Sequence, residues 1–264
     1  NEKYREFGNP GNEFTKIGIL TGNIFGVDLD PQAVEVARLN LLINALDTRM
    51  KMPPLDKNIR NGNSLISGSD EELKKYFGEN YRDKKPFNWQ EEFPEVFKQG
   101  GFDVVIGNPP YIRVHKLEKD DKEYLWANYP TFKAKSDLFA CFIQKGIDLM
   151  KQGGRFSFII SNTWLSLESF SCLRKYILDH CRIVELLLPP AKVFSEATVE
   201  TIIFIFEKCG NVNTRLENKI NVYNFDGVLT LRSNIPQKNF ESSHGHIFSI
   251  DNNQSLIPNC VPLK

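Results

Sequence analysis

The chain has 264 residues, 41% of them hydrophobic, and 33 Lys and Arg balance 33 Asp and Glu for a formal net charge of zero. That is enough chain for one large domain with a short appendage, and the lack of a basic excess weighs against a piece that grips DNA by itself. Five cysteines, Cys141, Cys172, Cys181, Cys209 and Cys260, are odd in number and show no C-x-x-C spacing, which argues against a disulfide framework and for reduced thiols in a cytoplasmic protein without a membrane segment.

Residues 1–16 contain the turn formers Gly8-Asn9-Pro10-Gly11-Asn12 and read as linker or insertion. Ile24-Phe25-Gly26-Val27 then reads as a short strand. Asp30 as N-cap and Pro31 at the first helical position start a helix in which Ala33, Val36, Ala37 and Leu41 recur at helical spacing. This leaves Asp28 at the carboxyl end of the strand, where nucleotide-binding βαβ units place a carboxylate that accepts hydrogen bonds from ribose hydroxyls. The plainer reading is a turn aspartate. A second strand end follows at Asn61-Gly62-Asn63-Ser64-Leu65. Gly62 permits a close approach of backbone to ligand there, and Asn63 has the donor and acceptor to meet an adenine edge. Residues 66–100 are long and charged, with Lys85-Pro86-Phe87-Asn88-Trp89 in the middle, and read as an insertion of unknown role.

The apolar run at residues 102–107 predicts a buried strand, and Asn108-Pro109-Pro110-Tyr111 follows it. Loops at the carboxyl ends of such strands bind ligands in open α/β sheets. Neither proline can donate a backbone hydrogen bond, and Pro110 biases Pro109 toward an extended conformation. The Pro109 carbonyl and the Asn108 side chain are then two neutral acceptors beside a flat ring, a set that suits a planar exocyclic amine. Downstream, helices are expected at residues 119–129, 137–150 and 169–179. Strands are expected at residues 155–161, 183–188 and 201–207, the last two as an antiparallel pair because their connection is short. His244-Gly245-His246 reads as a loop, not a metal pair.

In order, Gly26-Val27-Asp28-Leu29-Asp30-Pro31, Gly62-Asn63-Ser64-Leu65, Asn108-Pro109-Pro110-Tyr111, Ser136-Asp137-Leu138-Phe139, Gly153-Gly154-Arg155-Phe156 and Val193-Phe194 leading into Thr201-Ile202-Ile203-Phe204-Ile205-Phe206 resemble the N6-adenine DNA methyltransferases of type II restriction–modification systems, in particular those fused to an endonuclease. The resemblance implies S-adenosyl-L-methionine as cofactor and double-stranded DNA with a flipped adenine as partner. It assigns Asp28, Leu29, Asn63 and Ser64 to the cofactor, Asn108, Pro109, Pro110 and Tyr111 to catalysis, and Tyr111 with Phe194 to stacking on the target base. No metal is required. Asn63 stands where the family frequently has aspartate.

The implied fold is α/β, a Rossmann-like methyltransferase with a mostly parallel sheet and an antiparallel strand near its C-terminal end. Residues 17–208 would form the catalytic domain and residues 209–264 the start of a linker toward a target-recognition domain. The family's first strand and glycine-rich loop find no match in residues 1–15, so the chain is expected to lack them and to bind the cofactor weakly. Two other readings stay open: a methyltransferase acting on another planar amine, in a protein glutamine or ribosomal RNA, and a non-catalytic subunit. A dinucleotide oxidoreductase would need a G-x-G-x-x-G run that is not found.

Overall fold

The computed structural model describes residues 13–45, 53–133, 135–190 and 200–250. The chain divides into two compact units, residues 1–92 and 93–264.

In the first unit, α1 (Glu13–Asn23) leads to β1 (Gly26–Asp28), α2 (Pro31–Ala45) and β2 (Ile59–Asn61). β1 and β2 pair in parallel, with Asp28 opposite Asn61, so α2 is the crossover that a parallel pair requires. The Asp30 side chain accepts a hydrogen bond from the Gln32 N–H at 2.8 Å, which caps α2 beside Pro31 as the sequence predicts. Val34 and Ala45 are the buried residues of this helix, whereas Val36 is 57% exposed and lies off the buried face. Two side chains seat β2. Arg38 donates to the Ile59 carbonyl at 2.6 and 3.0 Å, and the buried Asn58 amide donates to the carbonyls of Thr21 and Ile24 at 2.9 and 3.0 Å. Residues 66–92 are ordered: α3 (Asp70–Phe77) starts on a capping box of Ser69 and Glu72, a 3-10 turn covers Gly78–Lys84, and α4 is Trp89–Glu92.

The second unit begins with α5 (Pro94–Lys98), β3 (Phe102–Gly107), α6 (Lys119–Asn128), α7 (Phe139–Leu149) and β4 (Met150–Ser161). It continues with α8 (Ser171–His180), β5 (Cys181–Leu188), β6 (Thr201–Lys208), α9 (Val212–Leu216), β7 (Lys219–Phe225), β8 (Leu229–Pro236) and α10 (Lys238–Glu241). The strands form one sheet in the order β3-β4-β6-β5-β7-β8. β6 is antiparallel to both of its neighbours and β7 is parallel to β5. The carboxyl ends of β3, β4, β5 and β7 therefore share one edge. α7 and α8 bury their apolar stripes against a core that includes Phe156, Ile160, Ile183, Leu186, Phe204 and Phe206.

β3 is an edge strand in its sheet, with Val104 and Ile106 60% and 78% exposed, where its apolar run suggests a buried strand. β1 and β3 belong to different sheets, in line with the expected lack of the family's first strand between them. Past Lys208 the sheet continues through β7 and β8, joined by a turn at Asp226-Gly227.

Candidate functional site

The first cluster sits at the carboxyl ends of β1 and β2. Asp28 is exposed, and its Oδ1 accepts from the Asp30 N–H at 2.8 Å, a local turn that orients the carboxylate. The backbone beneath is held from the neighbouring strand. The Asn61 side-chain amide donates to the carbonyls of both Asp28 and Leu29 at 2.9 Å, and the Gly62 N–H donates to the Asp28 carbonyl at 2.9 Å. With its backbone tied down, the Leu29 side chain stands 53% exposed, an apolar surface next to a carboxylate.

Asn63 is half-buried. Its N–H donates to the Lys85 carbonyl at 2.7 Å and its Oδ1 accepts from the Leu65 N–H at 3.1 Å. One of the two acceptor directions of that amide is thus occupied, and its Nδ2 is the stronger recognition group. The Ser64 carbonyl accepts from the Trp89 indole N–H at 3.2 Å. A Cβ at Gly62 would lie 2.5 Å from the Phe87 ring. The face of Gly62 that a Cβ would fill is covered by Phe87. Residues 85–89, read from the sequence as part of an insertion without a role, are a wall of this cluster.

The second cluster sits at the end of β3. Gly107 pairs with Phe158 of β4, and a Cβ there would lie 2.6 Å from the Phe158 ring. Only glycine lets β3 run this close before Asn108. Asn108 and Pro110 are exposed and Pro109 is buried, so one proline anchors the turn while the Asn108 amide stays open. The Tyr111 hydroxyl donates to the Ile159 carbonyl at 3.1 Å while 45% of the residue remains exposed; partial burial pushes its phenol pKa up.

The loop that follows is fastened to the Ser136-Asp137-Leu138-Phe139 segment. Leu138 N–H donates to the Ile112 carbonyl at 2.8 Å, Val114 N–H donates to the Ser136 carbonyl at 3.3 Å, and Arg113 pairs antiparallel with Asp137. Burial raises the Asp137 carboxyl, and the positive charges of Arg113 and His115 oppose that shift. Arg174 is buried and spends its guanidinium on the carbonyls of Trp164, Leu167 and Gly245 at 2.6–3.1 Å. It ties the turns after β4 to the His244–His246 turn, which thereby has a structural part. Among the described residues no group of three His, Cys, Asp or Glu is placed to hold a metal ion, and no helix is long and apolar enough to cross a membrane. Phe194 lies outside the described residues.

A parallel βαβ unit with an acidic strand end, together with a mixed sheet whose β3 ends in Asn-Pro-Pro-Tyr, defines a Rossmann-like methyltransferase fold. The chain belongs to the Eco57I restriction-modification methylase family, whose model matches residues 22–194. It is 26% identical over 206 residues to the type II restriction enzyme and methyltransferase RM.Eco57I of Escherichia coli, across 72% of this chain and 19% of that protein. It is 31% identical over 101 residues to the adenine-specific methyltransferase BrxX of Escherichia coli, across 38% of this chain and 8% of that protein. The solved type I restriction-modification system methyltransferase subunit from Streptococcus thermophilus superposes with a TM-score of 0.53 at 19% identity, across 85% of this chain and 40% of that one. The chain spans less than a third of the length of these curated relatives.

Proposed function

We propose that this chain supplies the methyl-transfer centre of a type II restriction–modification enzyme, acting from S-adenosyl-L-methionine onto the N6 amine of adenine in double-stranded DNA. The observation that carries the reading is Asn108-Pro109-Pro110-Tyr111 at the end of β3, with Asn108 open to solvent and Tyr111 tethered to β4. Adenine as the target draws support from the adenine specificity of the relative BrxX. Family membership supports a restriction–modification context.

The first cluster fits the nucleoside part of such a cofactor. An exposed carboxylate on Asp28 suits the two ribose hydroxyls, the exposed Leu29 side chain suits the face of a flat ring, and the Asn63 Nδ2 with the Ser64 hydroxyl suits its polar edge. When bound, the cofactor supplies a methyl group on a sulfonium, which is already electrophilic.

What the second cluster must do is make the N6 nitrogen a nucleophile, because its lone pair is delocalised into the ring. The Asn108 Oδ1 and the Pro109 carbonyl accept the two N–H bonds and favour a pyramidal nitrogen with its lone pair directed out of the ring plane. This is electrostatic preorganisation with alignment, and no acid–base residue is needed before transfer. Tyr111 stacks on the base, which must leave the duplex at a cost of a few kcal/mol that stacking offsets. Phe194 is proposed to cover the other face. With 33 acidic residues against 33 basic ones, this reading has DNA held largely by surfaces outside the chain.

Labelled methyl transfer by the full-length protein tests the reading. N6-methyladenine in duplex DNA is the expected product. Methylation of a protein glutamine or of ribosomal RNA, with DNA left unmodified, would overturn it.

A further inference from the structure

Lys85 has φ 50° and ψ 53°, a left-handed conformation that non-glycine residues seldom adopt. Such outliers persist where the surroundings over-determine them, and this one is held at three points. Its N–H donates to the Arg82 carbonyl at 2.9 Å, which closes the Gly78–Lys84 turn, and its own carbonyl accepts from the Asn63 N–H at 2.7 Å. Its Nζ reaches 56 residues back along the chain and donates to the Leu29 carbonyl at 3.1 Å. One residue thus touches both strand ends of the first cluster through their backbones. The next residues extend the contact: Pro86 bridges Asn63, and Phe87 packs on the Cα face of Gly62.

We infer that Lys85 is a positioning residue for the cofactor, setting the separation between Leu29, which covers one face of the adenine, and Asn63, which meets its edge. This rests on the reading of the cluster as the nucleoside subsite. The Leu29 carbonyl has two lone pairs, and Asn61 Nδ2 takes one at 2.9 Å while Lys85 Nζ takes the other. No direction of that carbonyl is left for a ligand, and the Lys85 ammonium is spent on it, so in this proposal Lys85 acts through Leu29. Loss of the ammonium leaves the Asn61 tie in place, and the two walls loosen without unfolding.

The test measures S-adenosyl-L-methionine affinity, KM and kcat of the full-length protein with Lys85→Met, Lys85→Gly and Lys85→Arg, with Asp28→Ala as reference. Losing a hydrogen bond from a charged donor at a partly exposed site should weaken cofactor binding by about three- to tenfold. The expected pattern is a raised Kd and KM for the cofactor in Lys85→Met and Lys85→Gly, kcat at saturating cofactor within about twofold, and recovery in Lys85→Arg, which restores a donor. Lys85→Gly relieves the left-handed backbone, so weak binding in that variant cannot come from strain. If Asp28→Ala weakens cofactor binding and Lys85→Met and Lys85→Gly both leave it unchanged, the inference is overturned and the subsite reading stands. If Asp28→Ala has no effect either, the subsite reading itself falls.

Discussion

The Tyr111 hydroxyl donates a hydrogen bond to the Ile159 carbonyl, 3.1 Å away on the neighbouring strand. Backbone pairing of β3 with β4 ends at Gly107 and Phe158, so this side chain continues the connection one residue beyond the ladder. The ring is thereby tied at its hydroxyl to β4 while 45% of the residue stays exposed, and this exposed part is the surface on which the proposed base would stack. Tyr111→Phe keeps the ring and loses the tether. A neutral hydrogen bond contributes about 0.5–1.5 kcal/mol net, so turnover should fall by about two- to twelvefold. Tyr111→Ala also removes the stacking surface, worth about 1–3 kcal/mol more. Equal losses in the two variants would show that the ring does not stack on the substrate.

Gly146 is the point at which α7 meets β4. A Cβ there would overlap the Phe156 ring. Gly146→Ala should destabilise the protein by about 1–2 kcal/mol, the strain of overpacking being partly offset by the helix propensity gained. Phe156→Leu in the same chain should recover part of that loss, since the two positions are in contact. Additive urea midpoints for the two substitutions would contradict this packing account.

Part of this structure is legible in the sequence, and the misses have physical causes. α2 follows from its cap and helical spacing, the helices expected at residues 119–129, 137–150 and 169–179 are found as α6, α7 and α8, and the antiparallel β5–β6 pair follows from a short connection. The residues of both clusters fall at the strand ends where their motifs place them. β3 departs from its expected burial because an apolar run reports a preference for burial and not which face receives a cover; Val104 and Ile106 are exposed on an edge strand. α3 and the β7–β8 hairpin carried usable signals, the Ser69-x-x-Glu72 capping box and Asp226-Gly227 between apolar stretches. Lys85 carried none. Its importance arises from contacts with residues 22 and 56 positions away, and no local pattern encodes a left-handed lysine before a proline.

Buried acids predict alkaline sensitivity. Burial pushes the Cys141 and Cys181 thiols and the Tyr129 phenol well up, and burial together with a hydrogen bond from its hydroxyl to Asp148 does the same for Tyr176. Above about pH 8.5 the unfolded thiols lose protons that the folded ones keep. The unfolded state then binds fewer protons, and stability falls as pH rises, by at most about 1.4 kcal/mol per pH unit for each group. Urea midpoints should therefore decline above that pH, with a shallower slope in Cys181→Ala. A midpoint independent of pH up to 10 would run against the burial of these groups. In the native protein Cys172 and Cys209, which are partly exposed, should react with a thiol reagent before Cys141 and Cys181.

The most direct test of the central claim is single-turnover methylation by the full-length Asn108→Ala protein, with cofactor affinity measured alongside. Removing one aligned acceptor from the second cluster should cost about 2.7–4 kcal/mol in the transition state, a hundredfold or more in rate. Cofactor affinity should stay within about threefold, because the side chains assigned to the cofactor belong to the first cluster. Near-normal turnover would mean that the Asn108 amide does not accept the target amine, and the assignment of methyl transfer to this strand end would fail with it.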